Sequence, residues 1–232
     1  GSYETISADI KNESYTWKKI FSDYNENMIY TCCNKLPPTI DVELACLIYT
    51  SGSTGEPKGV MSTHHNMITA ARSIIQYIGN RNDDIILNTL PLSFDYGLYQ
   101  VIMAVMFGGT VIEDKSVMYL GKILEKISKY KVTGFPLVPT IAAMILQMDN
   151  LHKYNFSSLR YITNTGAALP VEHINKLRAV FPEAKLFSMF GLTECKRVGF
   201  LPPDELDKRP GSVGKAMPNC KVRIIDEDGN DA

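Results

Sequence analysis

Residues 45–59 read Ala45-Cys46-Leu47-Ile48-Tyr49 and then Thr50-Ser51-Gly52-Ser53-Thr54-Gly55-Glu56-Pro57-Lys58-Gly59. The first five are a short apolar run, which at this length reads as a buried strand. The next ten are a glycine and hydroxyl cluster, a loop by composition. Thr63 or His64 then caps a helix whose apolar positions Met67, Ala71, Ile74, Ile75 and Ile78 recur at helical spacing. A strand, a glycine-rich loop and a helix in that order make one unit of an alternating α/β protein.

The alternation repeats downstream. Ile85–Leu87, Thr110–Ile112, Val132–Phe135, Leu159–Thr163 and Lys185–Met189 read as strands, with Val222–Ile225 as a further one. Between them lie helical patterns over Leu98–Phe107, Leu120–Tyr130, Ile141–Met148 and from Pro170 through Leu177. Gly108-Gly109 stops the first of these, and Pro170 suits a helix start. The expected fold class is α/β, mostly parallel sheets covered by helices in alternating strand–helix order. Ligands in such sheets bind beyond the carboxyl ends of the strands, so the loops after strands carry the functional reading.

Four loops answer that description. In Thr50–Gly59, three glycines free backbone N–H groups for an anion, four hydroxyls add donors, and Lys58 adds a positive charge suited to polyphosphate. A Walker A loop is excluded, because Gly55 is followed by Glu56-Pro57-Lys58-Gly59 rather than Lys-Ser/Thr. A plain surface loop is the alternative for such a composition. Leu90-Pro91-Leu92-Ser93-Phe94-Asp95-Tyr96-Gly97 follows the next strand, and Asp95 could pair with an ammonium group or cap the helix after it. Asn164-Thr165-Gly166-Ala167-Ala168 is small enough to let a flat ring lie on backbone. Met189-Phe190-Gly191-Leu192-Thr193-Glu194 ends in a hydroxyl and a carboxylate, a pair that taken alone is more often surface than ligand.

Taken in order, these stretches resemble the AMP-forming adenylating enzymes: acyl-CoA synthetases, beetle luciferases and the adenylation domains of peptide synthetases. The resemblance covers roughly residues 42–232. It implies ATP and magnesium as cofactors, a carboxylic acid substrate, and a thiol acceptor, either CoA or a carrier protein. It further implies that Thr50, Ser51, Gly52, Ser53, Thr54, Gly55 and Lys58 hold the phosphates. Asn164, Gly166, Ala167, Ala168, Phe190, Gly191 and Leu192 would bound the adenosine. Phe94, Asp95, Tyr96 and Gly97 would lead into the acyl or aminoacyl pocket, Thr193 would face the α-phosphate, and Glu194 would hold the magnesium. Lys58, Thr193 and Glu194 are the expected catalytic set. Phe190 replaces the family's usual Tyr and loses a hydroxyl. Arg209–Lys215 is similar to the family's Gly-Ser-x-Gly segment, where a simple turn is an equal alternative.

Thr-Gly-Ala-Ala-Leu and Phe-Gly-Leu-Thr-Glu point to the acyl-CoA ligase branch, and Phe94-Asp95 to amino-acid adenylation. Ser93–Leu98 and Glu194–Arg197 resemble acyl-CoA ligases that accompany bacterial exosortase systems. A non-catalytic nucleotide-binding or interaction module that kept the fold is the reading from another class. The family's ribose-binding Thr-Gly-Asp and its small lysine-bearing C-terminal domain do not occur in the 232 residues. The expectation is therefore the central part of the large AMP-binding domain, 42–232, behind a lead-in segment, 1–41, with negligible adenylation by this stretch alone.

Composition fits that picture. The 24 Lys and Arg against 25 Asp and Glu leave a net charge of −1, which argues against binding nucleic acid by bulk charge. No apolar run reaches the ~18 residues of a membrane span, and no signal-peptide pattern opens the chain, so a cytoplasmic enzyme is expected. The five cysteines have no C-x-x-C spacing and make a poor disulfide framework or zinc site.

Overall fold

A computed structural model describes residues 39–50, 56–114 and 119–231. The lead-in segment expected over 1–41 lies almost wholly outside the described residues. Asp41–Ala232 forms one unit.

Strands β1 (Leu44–Thr50) and β2 (Lys58–Thr63) pair as an antiparallel hairpin, with Thr50 opposite Lys58. Two expectations change here. Lys58-Gly59 begins a strand instead of ending a loop. β1 is half-exposed instead of buried: only Ile48 is enclosed, while Leu47 and Tyr49 face outward. A short apolar run does not state which of its faces is covered, and a two-stranded sheet can cover only one.

Helix α1 (His64–Ile78) starts directly from β2. Thr63 Oγ1 accepts from the Asn66 N–H at 3.1 Å while Asn66 Oδ1 accepts from the Thr63 N–H at 3.1 Å, a reciprocal capping box. Gly79 closes the helix in the left-handed conformation, φ 75°. Thereafter come β3 (Ile85–Asn88), α2 (Asp95–Phe107), β4 (Thr110–Glu113), α3 (Leu120–Tyr130), β5 (Gly134–Leu137), α4 (Pro139–Leu146), β6 (Tyr161–Asn164), α5 (Val171–Val180) and β7 (Lys185–Phe190). Two short antiparallel strands, β8 (Gly199–Leu201) and β9 (Lys215–Ala216), complete the order.

The main sheet runs β4-β3-β5-β6-β7-β8-β9, parallel from β4 through β7 and antiparallel beyond. This is the expected α/β architecture with an antiparallel extension that local periodicity does not announce. Val222–Ile225 is not a strand. It lies exposed, with one bridge between Ile225 and Asp231, because no neighbouring strand covers its apolar side chains. The β5 and β6 spans sit one or two residues later than their apolar runs suggest. Gly134, Phe135, Pro136 and Leu137 are all buried, and the missing Cβ of Gly134 leaves room for the Tyr161 ring, whose Cζ a Cβ would meet at 2.3 Å.

At the amino ends of the central strands a polar cluster is enclosed. The fully buried Asp84 accepts from the Arg81 N–H at 2.9 Å, from Thr133 Oγ1 at 2.8 Å, and from Asn80 and Arg160. Burial alone would raise its carboxyl, but these donors outweigh it and hold the group below the ordinary aspartate value of 3.8. A depressed carboxyl contributes stability above its unfolded value and loses it as pH falls through its folded value. Stability measured by urea melts should therefore fall with pH below 3.8. Asp84→Asn should lower stability at pH 7 by about 1–3 kcal/mol and flatten that acid limb. An unchanged acid limb in the variant would remove Asp84 from the account.

Candidate active site

Four chain segments meet at the carboxyl ends of β3, β6 and β7 around a cavity of about 340 Å³. Thr50 and Lys58 reach it from the facing ends of β1 and β2, and Phe94, Asp95 and Tyr96 from the start of α2. Thr165 and Gly166 follow β6, while Gly191, Leu192, Thr193, Glu194 and Arg197 follow β7. A second cavity of about 330 Å³ shares Thr165, Gly166, Gly191 and Leu192 with the first. Ala167, Ala168 and Phe190 line it, together with Pro210–Val213. Phe190 keeps its ring partly exposed there.

Most residues singled out from sequence thus share one place. Lys58, Thr193 and Glu194 line the first cavity, as do Phe94, Asp95 and Tyr96, and the small loop after β6 divides between the two. Ser51, Gly52, Ser53, Thr54 and Gly55 lie outside the described residues. Two expected residues sit off the cavities. Gly97 is buried under Leu90 and Pro91, and a Cβ there would meet the Pro91 carbonyl at 2.4 Å, so it lets α2 pack closely and takes no place in the pocket wall. Asn164 is fully buried at the end of β6, where its Nδ2 donates to the Ala167 carbonyl at 3.2 Å and braces the loop from behind.

Each wall is held by identifiable contacts. Tyr96 is fully enclosed and ties α2 to β6, its hydroxyl 2.8 Å from the Thr163 carbonyl and 2.6 Å from Thr163 Oγ1. Burial pushes the Tyr96 phenol well above its ordinary range, against the smaller opposing effect of the Thr163 hydrogen bond, so it remains a neutral donor. Gly191 allows the turn after β7 to fold back on itself, since a Cβ would lie 2.3 Å from the Lys196 carbonyl and 2.8 Å from Arg197 Cα. Within that turn Lys196 adopts a left-handed φ of 63°, uncommon for a residue with a side chain.

The Asp95 carboxylate, weighed above as helix cap or ammonium anchor, has other neighbours. Its Oδ1 is 3.2 Å from Lys196 Nζ and its Oδ2 3.7 Å from Arg197 Nη1, with all three residues about 4% exposed. The cap of α2 falls one residue earlier, on Phe94. Sequence reading took Glu194–Arg197 only as part of a resemblance and assigned Lys196 and Arg197 no role. Their signal was adjacency to the Glu194 motif, and their partner lies far away in sequence. Pro210–Val213 was equally ambiguous between turn and site, and it lines the second cavity.

No group of three or more His, Cys, Asp or Glu suited to a metal occurs among the described residues. Glu194 alone still fits magnesium, which takes one or two carboxylates and completes its shell with phosphate and water oxygens. No described helix is long and apolar enough to cross a membrane.

Comparison with known proteins points the same way. Residues 5–232 match the AMP-binding enzyme family. 4-Coumarate-CoA ligase 1 of Narcissus pseudonarcissus is 32% identical over 203 residues, 82% of this chain and 37% of the relative. The chain thus spans little more than a third of the curated relatives it matches. Among solved structures, VinN in complex with L-aspartate superimposes with TM-score 0.74 at 32% identity, over 94% of this chain and 56% of VinN. O-succinylbenzoate CoA synthetase of Bacillus subtilis, in complex with ATP and magnesium, gives TM-score 0.75 at 29% identity, over 85% and 41%.

The Gly191 contact makes a local test. Gly191→Ala should displace the turn carrying Thr193–Arg197 and cost about 1–3 kcal/mol in urea denaturation. Tyr96→Phe should cost about 1 kcal/mol by the same measurement, through the lost bond to Thr163. A Gly191→Ala protein as stable as the parent would mean the turn has slack that its contacts do not suggest.

Proposed function

The chain belongs to the AMP-binding enzyme family, and from that premise we propose that its protein activates a carboxylic acid with MgATP and passes the acyl group to a thiol, coenzyme A in the first reading. In the first step an acid oxygen bonds to the α-phosphorus of ATP while the bond to pyrophosphate breaks, leaving an acyl-adenylate. In the second, a thiolate sulfur bonds to the acyl carbon and AMP leaves.

The observation that carries this reading is the convergence of Lys58, Thr193, Glu194 and the α2 start on one cavity, with a ring-sized cavity adjoining it. Reactions at phosphorus need the reactants held in line and the growing charge neutralised. Lys58 supplies a cation at the mouth of the hairpin, and the Thr193 hydroxyl is a donor for a phosphate oxygen. Glu194 would hold magnesium, which supplies charge neutralisation on the phosphates when bound. Ala167, Ala168 and Phe190 offer a flat, largely apolar bed to a purine. The ATP and magnesium in the Bacillus subtilis synthetase are consistent with this assignment.

A second reading, activation of an amino acid for a carrier-protein thiol, draws on Asp95 in the cavity wall and on the L-aspartate in VinN. The ion pairs of Asp95 with Lys196 and Arg197 weigh against a simple ammonium anchor, because an incoming ammonium would have to displace existing cations.

Calorimetric titration with MgATP tests the nucleotide site directly. Lys58→Ala with Glu194→Ala should weaken saturable binding by about 10²-fold or more. In the intact protein, the same double variant should abolish acid-dependent ATP–pyrophosphate exchange. Undiminished binding in the variant would place the nucleotide elsewhere.

A further inference from the structure

The floor of the first cavity holds more positive charge than it neutralises. Asp95, Lys196 and Arg197 are all buried to about 4% exposure, two cations against one carboxylate, so the cluster carries a formal charge of +1. Arg197 is the underpaired member. Its Nη1 donates to the Lys196 carbonyl and lies 3.7 Å from Asp95 Oδ2, yet its Nε is buried with no hydrogen-bond partner. Its guanidinium lies over the Tyr96 ring, Cζ 4.8 Å from the centroid, which fixes the plane of the group. Lys196 is held in place by donating to the Thr193 carbonyl at 3.0 Å, and it accepts a left-handed backbone to do so. The other acid lining the cavity, Glu194, is exposed.

A buried, partly unpaired guanidinium facing a cavity is costly unless a ligand completes it. Arg197 lines the same cavity as Phe94 and Asp95, the expected way into the acyl pocket. We propose that Arg197, backed by Lys196, receives a second carboxylate of the acid being activated, so that the substrate class is a small dicarboxylic acid. This rests on the adenylation reading above and narrows it. The distal carboxylate brings the charge of the cluster from +1 to zero and supplies acceptor oxygens to the Arg197 guanidinium. A monocarboxylic acid with an apolar tail would leave that charge desolvated, and a site built around a polar group rejects an analogue lacking it.

The experiment is acid-dependent ATP–pyrophosphate exchange by the intact protein. Succinate, glutarate and L-aspartate would be compared with butyrate, valerate and 4-coumarate. At least one diacid should exceed its monoacid counterpart in kcat/KM by about 100-fold. Arg197→Met should collapse that ratio toward one, chiefly through a higher KM for the diacid, and Arg197→Lys should restore part of it. Thermal melts of both variants would establish that they fold. Equal use of diacid and monoacid by the parent, or equal losses for both in a folded Arg197→Met protein, would overturn the assignment. Exchange with monoacids alone would overturn this inference and leave the adenylation reading standing, whereas exchange with no acid at all would overturn both.

Discussion

A buried carboxylate lodged between two buried cations joins the two loops on which the site depends. Asp95 belongs to the start of α2, after β3, and Lys196 and Arg197 belong to the turn after β7. The Tyr96–Thr163 bond ties the same start of α2 to β6. Removing one member of such a cluster costs about 3–5 kcal/mol, because the others remain desolvated. The same cost explains why the two loops keep a fixed separation, and a fixed separation is what a pocket for two reacting groups requires.

Parallel sheet geometry decides where that pocket lies. β3, β6 and β7 all point their carboxyl ends the same way, so the loops that follow them open on one side of the sheet. Helices α1 to α5 occupy its faces and leave this edge as the place for irregular backbone. The hairpin β1–β2 arrives from outside the main sheet and delivers Thr50 and Lys58 to the same edge. At the opposite edge Asp84 and its donors hold the strand starts together. The molecule therefore carries a buried polar cluster at each end. They differ in closure: the carboxylate of Asp84 is more than satisfied, whereas the guanidinium of Arg197 is not.

Much of this was readable from local pattern. Helical spacing located α1 and α3 almost to the residue, because their apolar stripes follow 3.6-residue periodicity and Thr63 marks the start of the first. Motif order singled out Lys58, Thr193 and Glu194, and all three line one cavity. Errors arose where the deciding contact is remote. Gly97 stands beside Asp95 and Tyr96 in sequence, yet the turn of α2 points it at Leu90 and Pro91 instead of the cavity. Val222–Ile225 has a strand's composition without a strand's neighbour.

Sequence alone determined the alternation of elements, the loops that line the cavities and the family they belong to, because periodicity, capping and glycine placement act over a few residues. Tertiary structure alone decided which side chains of those loops face the cavity and what partners they already have. It closed β2 onto β1, added the antiparallel strands β8 and β9, and placed two cations on Asp95. The reason is that burial and charge compensation depend on contacts between segments far apart in the chain, and no local spacing encodes which of them will be left short of a partner.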